Sequence, residues 1–182
     1  KKWTYFKFKY KNDVEQFGVL PDKFKNNIFT LLFSINRPRE LINAEMYNVS
    51  FSSDIKTDFN LEIGLTSRNV IALGDFQFTK TTTDGIAEIN NLITFEPYLK
   101  LSYIPGVNWL KANFERAKLN VTKPEFTILY QYGIKDVFNS QYNYHKLFFG
   151  VEHSFYLGSY GRTDYQLIAG KVFGNLPYAL QD

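Results

Sequence analysis

Strict alternation of apolar and polar side chains is the feature that most constrains the fold of this chain. Residues 124–135 read PEFTILYQYGIK, in which one parity is apolar and the other is polar apart from Leu129. Successive side chains of an extended strand point to opposite faces, so this pattern predicts a two-faced β-strand. In a soluble sheet the apolar face covers a protein core, whereas in a membrane barrel it faces lipid and the polar face lines the interior.

The same alternation recurs along the whole chain and predicts about nine strands. The first contains Phe6, Phe8 and Tyr10, which oppose Lys7, Lys9 and Lys11. The others are expected at 28–36, 45–53, 58–66, 69–80, 92–103, 124–135, 146–158 and 163–174. A change of phase near Gly74 predicts a bulge or kink, and Pro97 is unexpected within a strand because it cannot donate a ladder hydrogen bond. Residues 109–118 are expected to form a helix or a long turn.

Composition excludes several classes of protein. The net charge of +3 indicates neither a disordered chain nor a strongly basic nucleic-acid binder, so no nucleic-acid partner is expected. There is no cysteine, which excludes a disulfide framework and thiolate metal sites. Aromatic residues make up 18% of the chain, and such residues are frequent in strands and at the rims of membrane barrels.

Strand length favours the membrane alternative. Several segments alternate for about 9–12 residues, and ten residues at about 3.3 Å each, tilted by about 40°, span roughly 25 Å. That height matches the apolar band of an outer-membrane barrel. Soluble lipocalin-like barrels also use long strands, so a soluble barrel or sandwich remains an alternative.

The last third of the chain resembles a family of Bacteroidota outer-membrane proteins of unknown function. The similar motifs are a Pro-Thr/Glu-Phe strand start, Tyr-x-x-Gly-Ile-Lys, Tyr-x-Tyr-x-Lys, Leu-Gly-x-x-Gly-Arg-x-x-Tyr and Ala-Gly-Lys-x-x-Gly-x-x-Pro. In this sequence they lie at 124–126, 130–135, 142–146, 157–165 and 169–177, and looser similarity extends back to about residue 28.

The resemblance implies an all-β fold, an antiparallel transmembrane β-barrel of outer-membrane type, with residues 1–182 forming one region that is an interior part of a larger barrel. Members of that family typically carry an N-terminal carboxypeptidase-regulatory-like domain, and residues 1–182 are expected not to include it. The expected location is the outer membrane of a Gram-negative bacterium. The expected partners are outer-membrane lipid and other envelope proteins.

The barrel hypothesis assigns each face of the strands. The polar parity is expected to face the lumen, with candidates Glu62, Glu96, Lys100, Glu125, Gln131 and Lys135. The apolar parity is expected to face lipid, with candidates Phe59, Leu61, Ile63, Leu65, Phe126, Ile128 and Tyr130.

No catalytic, cofactor or metal site is expected. His153 and Ser154 suggest a nucleophilic pair, but adjacent strand residues point to opposite faces, so the histidine cannot readily serve the hydroxyl. Acid pairs among Glu62, Glu96, Glu125 and Glu152 suggest glycoside chemistry, which requires two carboxyl groups at a defined separation in a cleft. Charges that solvate and brace one another are the simpler interpretation.

The functional hypothesis is therefore a non-enzymatic outer-membrane barrel, a subunit of an envelope assembly or translocation complex. One alternative is a barrel that transports solute across the outer membrane. The other is a soluble β-barrel or sandwich that binds carbohydrate or lipid.

Overall fold

The computed structural model describes residues 2–16, 41–74, 78–82, 85–89, 91–111, 116–119 and 122–174. The predicted strand at 28–36 lies outside these ranges. Within them, the chain is built of antiparallel strands, which confirms the predicted all-β antiparallel class.

Seven long strands form one sheet in the order β1-β2-β3-β6-β9-β10-β11. They are β1 (Thr4–Gln16), β2 (Leu41–Lys56), β3 (Phe59–Ala72), β6 (Asn91–Tyr103), β9 (Glu125–Gly133), β10 (Tyr144–Tyr156) and β11 (Arg162–Phe173). Two short hairpins complete the structure: β4 (Phe78–Thr82) with β5 (Gly85–Ile89), and β7 (Trp109–Lys111) with β8 (Arg116–Lys118). In the described part of the chain β1 and β11 each pair with one neighbour, so the sheet there is open.

Three of the predicted elements differ from the structure. The segments at 58–66 and 69–80 are not two separate strands, because β3 runs without a break from Phe59 to Ala72. The change of phase at Gly74 marks a turn with φ of 73° after this strand, before β4 starts at Phe78. The predicted helix or long turn at 109–118 contains the two short strands of the β7–β8 hairpin.

Pro97 lies inside β6 where the pairing with β9 is interrupted. Regular pairing covers Tyr98 to Tyr103, and beyond the proline the amide of Ile134 donates to the carbonyl of Phe95 over 3.0 Å. Hydrogen-bonded pairs recur every second residue in an antiparallel ladder, so position 97 falls where a donor to β9 is needed. The interruption follows from the missing proline N–H.

The two faces of the sheet have opposite chemistry and opposite burial. On what we call the apolar face, large hydrophobic side chains are exposed: Phe6, Phe8, Phe51, Ile63, Leu65, Leu99, Ile128, Leu147, Phe149 and Leu167 are 42–68% accessible. On the other, the polar face, hydrophilic side chains are buried, namely Asn48, Ser50, Ser52, Asp54, Thr66, Thr94, Glu96, Ser102, Thr127, Gln131 and Lys146. This distribution is the reverse of an ordinary soluble sheet, in which the apolar face is covered.

Side chains on the polar face meet across strands that are not neighbours. Asn48 of β2 donates to the hydroxyl of Tyr98 on β6 over 3.3 Å, across β3. Tyr144 of β10 donates to Glu96 of β6, across β9. In both contacts the tyrosine side chain reaches across the intervening strand.

Three aromatic rings lie directly over glycines on the polar face. Tyr98 is paired with Gly64, Tyr144 with Gly133 and Phe148 with Gly170. At each glycine an added Cβ would collide with the ring, for example 2.6 Å from Cζ of Tyr98. Glycine therefore provides the space in which these rings lie against the backbone, an arrangement that also supports sheets at weak glycine positions.

The two hairpins lie at opposite ends of the sheet because β3 and β6 run in opposite directions. The end that contains Ala72, Asn91 and Tyr144 is called the β4 end, and the end that contains Phe59, Tyr103 and Tyr156 is called the β7 end. At the β4 end an apolar cluster covers the polar face. Its buried members are Ile42, Val70, Phe78, Leu92, Tyr142 and Tyr144.

Candidate functional site

A charged cavity of about 210 Å³ lies at the β7 end of the polar face. The sheet provides its floor through Asn60, Ser102 and Lys100, and the β7–β8 hairpin provides Trp109, Arg116 and Lys118. Four acidic side chains also line it: Asp54, Asp58, Glu62 and Glu125. Both signs of charge are therefore present in one half-enclosed space.

The hairpin is attached to the sheet by two ion pairs. Arg116 Nη1 lies 2.6 Å from Asp54 Oδ2, and these side chains are 14% and 8% exposed. Lys118 Nζ lies 2.5 Å from Glu125 Oε2, with side-chain exposures of 24% and 20%. The Arg116 guanidinium also lies 4.0 Å from the centre of the Trp109 ring, a favourable cation–π geometry.

Asp54 is the most connected acid of this cavity. Besides Arg116 it accepts hydrogen bonds from the Asn60 side chain over 3.0 Å and from the Trp3 amide over 3.3 Å. Trp109 completes the attachment, since its indole N–H donates to the carbonyl of Thr57 over 3.2 Å. The β7–β8 hairpin is thus bonded to the β2–β3 turn and to β2 itself.

A second polar cluster surrounds Glu96 nearer the β4 end. Its carboxylate accepts hydrogen bonds from the Tyr144 hydroxyl and from the Gln131 amide, the latter over 2.7 Å. All three side chains are buried, and a buried carboxylate needs such donors because burying an unsatisfied charge is costly. In the adjoining loop, burial raises the pKa of the Tyr142 hydroxyl.

The structure places most of the predicted lumen-facing residues on the polar face. Glu62, which accepts a hydrogen bond from Tyr98 over 2.7 Å, and Lys100 are direct cross-strand partners beside the cavity. Glu125 is one of the ion-paired acids, whereas Glu96 and Gln131 belong to the second cluster. Lys135 is not in a strand: it is exposed in the turn after β9.

The predicted lipid-facing residues share the apolar face. Ile63, Leu65, Ile128 and Tyr130 are exposed, and the others, Phe59, Leu61 and Phe126, are partly exposed. Leu129, the exception in the alternation, lies on the polar face with 0% exposure and packs with Tyr98 and Phe148. It belongs to a small apolar cluster inside the polar face.

The two histidines lie on the apolar face. His145 Nδ1 is 2.7 Å from the Tyr130 hydroxyl, and its ring stacks on Tyr132 at 4.6 Å. His153 Nε2 lies 3.0 Å from the carbonyl of Thr122. Ser154 points to the other face, where its hydroxyl accepts from Arg162 over 3.1 Å.

Each of the four acids considered for glycoside chemistry, Glu62, Glu96, Glu125 and Glu152, has a hydrogen-bond or ion-pair partner of its own. Glu125 and Glu152 are direct cross-strand partners, but each has its own donor: Lys118 for Glu125 and Gln166, over 2.9 Å, for Glu152. No group of three or more His, Cys, Asp or Glu that could hold a metal ion occurs among the described residues. The same residues contain no helix that is long and apolar enough to cross a membrane.

Sequence reasoning missed Asp54, Trp109 and Arg116, which organise the cavity. Asp54 shares the parity of Ser50 and Ser52, so its place on the polar face was available from the alternation of β2. The other two fall in the segment for which a helix or turn was expected, and no alternation marks the two short strands there.

Comparison with known proteins identifies the family. The model for the C-terminal domain of a family of unknown function, DUF5686, matches residues 1–182. The chain belongs to this family. No curated protein and no solved structure matches it, so the domain's function has to be inferred from its geometry.

Proposed function

We propose that this domain is part of the wall of an outer-membrane β-barrel, with lipid against the apolar face and the barrel interior against the polar face. The observation that carries the proposal is the reversed burial of the sheet, in which Ile63 and Ile128 are exposed while Glu96 and Gln131 are buried. A contiguous apolar surface of this extent is unfavourable in water. β1, β2, β3 and β11 are 12–16 residues long. Strands of this length can cross the bilayer when they are tilted.

The open edges of the sheet suggest a place within a larger barrel. A spanning sheet has to close, because unpaired backbone groups are not solvated in hydrocarbon. In the proposed protein, further strands pair with β1 and β11, as expected for an interior part of a larger barrel of a Bacteroidota cell envelope.

The connections suggest an orientation. β2 and β3 are joined by Thr57 and Asp58 alone, and β10 and β11 by residues 157–161, both at the β7 end, where the third connection, residues 104–124 between β6 and β9, is long. Outer-membrane barrels have short periplasmic turns and longer extracellular loops. The β7 end, with the charged cavity, therefore faces the periplasm in this proposal.

The proposed role is non-enzymatic, as a subunit of an envelope assembly or translocation complex. The support is the two-faced sheet whose outer strands in the described residues, β1 and β11, each have one free side, which suits a wall segment that joins other strands. Purification of the full-length protein from native membranes tests this role: stable co-purifying envelope proteins support it, and a protein isolated repeatedly without partners contradicts it.

Solute transport is the second candidate function, and the charged cavity favours it. A hydrophilic interior lined by Glu62, Lys100 and Asn60 would suit a polar solute. Reconstituted full-length protein should then conduct ions or take up solute, and an electrically silent, impermeable protein would exclude this candidate.

Labelling with a water-soluble maleimide tests the membrane placement directly, because the chain has no cysteine of its own. Phe6 is 68% exposed on the apolar face and its neighbour Lys7 is exposed on the polar face. In intact membranes the reagent should label Lys7→Cys but not Ile128→Cys. Phe6→Cys should react more slowly than Lys7→Cys. Equal, rapid labelling of all three in the full-length protein would show that the apolar face is in water.

A further inference from the structure

The β7–β8 hairpin connects parts of the sheet that are not adjacent. Arg116 binds Asp54 on β2, and Lys118 binds Glu125 on β9. In the sheet these strands are separated by β3 and β6. The hairpin therefore crosses the β7 end of the polar face from one side to the other, over the charged cavity.

Its attachment differs from that of the β4–β5 hairpin at the other end. There, Phe78 is 4% exposed within an apolar cluster with Val70 and Leu92, and separating such a cluster exposes hydrocarbon to water. At the β7 end the contacts of the hairpin to the sheet include two ion pairs and one indole hydrogen bond. Charged groups released from such contacts are solvated by water, so this end opens at a lower free-energy cost.

Four acids and three basic side chains line the cavity beneath the hairpin. The cavity contains Asp58, Glu62 and Lys100 in addition to the two ion pairs, and the Asp58 carboxylate accepts a hydrogen bond from the Gly106 amide over 3.3 Å. The segment that leads to the hairpin is itself anchored, because Ile104 and Val107 are buried. The ion-paired strands β7 and β8 therefore begin just after a buried anchor.

We propose that the β7–β8 hairpin is a strap that closes the β7 end of the barrel interior and is held shut by the Arg116–Asp54 and Lys118–Glu125 ion pairs. Breaking both pairs releases the strap and opens the cavity to the periplasm, while the β4 end stays closed by its apolar cluster. The role of the strap as a gate rests on the proposed barrel function. Its role as a cover of the cavity depends only on the contacts between the hairpin and the sheet.

Cysteine accessibility in the full-length protein, solubilised in detergent, tests the strap. Ser102 lines the cavity and is 9% exposed, so Ser102→Cys reports on the cover. Neutralising the sheet side of both pairs with Asp54→Asn and Glu125→Gln keeps the shape of each side chain. Maleimide labelling at position 102 should then become faster by about tenfold or more, the factor that corresponds to about 1.4 kcal/mol.

Two controls separate opening of the strap from general loosening. Arg162→Gln breaks the exposed Arg162–Asp164 pair, 2.8 Å long and away from the hairpin, and should leave labelling at position 102 unchanged. Thr94→Cys, at a position that is 1% exposed near the β4 end, should stay protected in the doubly neutralised protein. An unchanged rate at position 102 overturns the strap, and equal acceleration at 94 and 102 overturns it too, since it shows global unfolding.

Bilayer recordings of the same variants separate the strap from the proposed function. A higher open probability for Asp54→Asn with Glu125→Gln supports a gate in a passage. If position 102 is labelled faster in the doubly neutralised protein but the protein does not insert into membranes, the role of the hairpin as a cover of the cavity is supported. The barrel proposal is then contradicted.

Discussion

At the scale of single residues, glycines on the polar face provide the space that an aromatic ring on the neighbouring strand occupies. Gly64 has a φ outside the left-handed region, so its requirement is steric: the ring of Tyr98 occupies the space that a side chain would need. Tyr98 in turn connects Glu62 and Asn48, which lie on different strands. The absence of a side chain at Gly64 therefore leaves room for a tyrosine whose hydrogen bonds link three strands.

Substitution of Gly64 tests this arrangement. Gly64→Val should lower the free energy of unfolding by about 1–3 kcal/mol, because a crowded side chain forces the ring to move. The measurement is urea unfolding of the full-length protein in detergent. In a Tyr98→Ala background the same substitution should cost clearly less, and fully additive effects would show that the ring and the glycine do not interact.

Side-chain direction was predictable residue by residue, whereas side-chain partners were not. Alternation places Glu62 and Ile63 on opposite faces, and the structure has them there. The contact of Glu125 with Lys118, in contrast, depends on where the β7–β8 hairpin folds back. Parity carries no information about such contacts, because they depend on the path of a connection and not on the period of a strand.

At the scale of elements, the two hairpins illustrate how short strands escape sequence analysis. β7 and β8 have three described residues each, which is too short for an alternation to be recognised. The long strands were recognisable because each repeats its period many times, although their ends were misplaced where β3 continued through Ser67 and Arg68. Pairing with β2 and β6 on both sides keeps that segment extended.

The apolar closure of the β4 end predicts a large effect of a single truncation. Leu92 is 1% exposed within the cluster, so Leu92→Ala should destabilise the fold by about 2–5 kcal/mol through lost burial and a cavity. Thermal unfolding of the full-length protein measures this. Leu110→Ala, at a position that is 58% exposed in β7, is the control and should change stability by less than about 0.5 kcal/mol.

At the scale of the whole molecule, the distribution of polar and apolar side chains between the two faces is the property that relates fold to surroundings. The sequence predicted two-faced strands, but alternation alone is the same for a soluble and a membrane sheet. The structure adds which face is covered by the chain itself: the polar one, with Ser52 at 0% and Glu96 at 8% exposure. Closure of the sheet could not be read from the pattern.

Depth-dependent substitution on the apolar face tests the proposed surroundings. Ile128→Arg, near the middle of the sheet, should lower the free energy of unfolding by about 2–4 kcal/mol. Phe59→Arg lies at the start of β3 beside the turn. Its charge should lower the free energy of unfolding by about 0–1 kcal/mol, in addition to the effect of losing the ring packing. Unfolding of the full-length protein in lipid vesicles, compared with Ile128→Ala and Phe59→Ala, isolates the charge. Equal charge penalties at both depths would contradict a bilayer around this sheet.

The unpaired outer sides of β1 and β11 have a consequence for biogenesis. In the described residues each of these strands, 13 and 12 residues long, offers a row of backbone amides and carbonyls on its free side. Dehydrating such rows in hydrocarbon costs several kcal/mol for each unsatisfied group. In the proposed barrel, insertion of this segment into a bilayer would therefore be tied to the arrival of complementary strands, so that folding and recruitment of neighbouring strands would become one thermodynamic event.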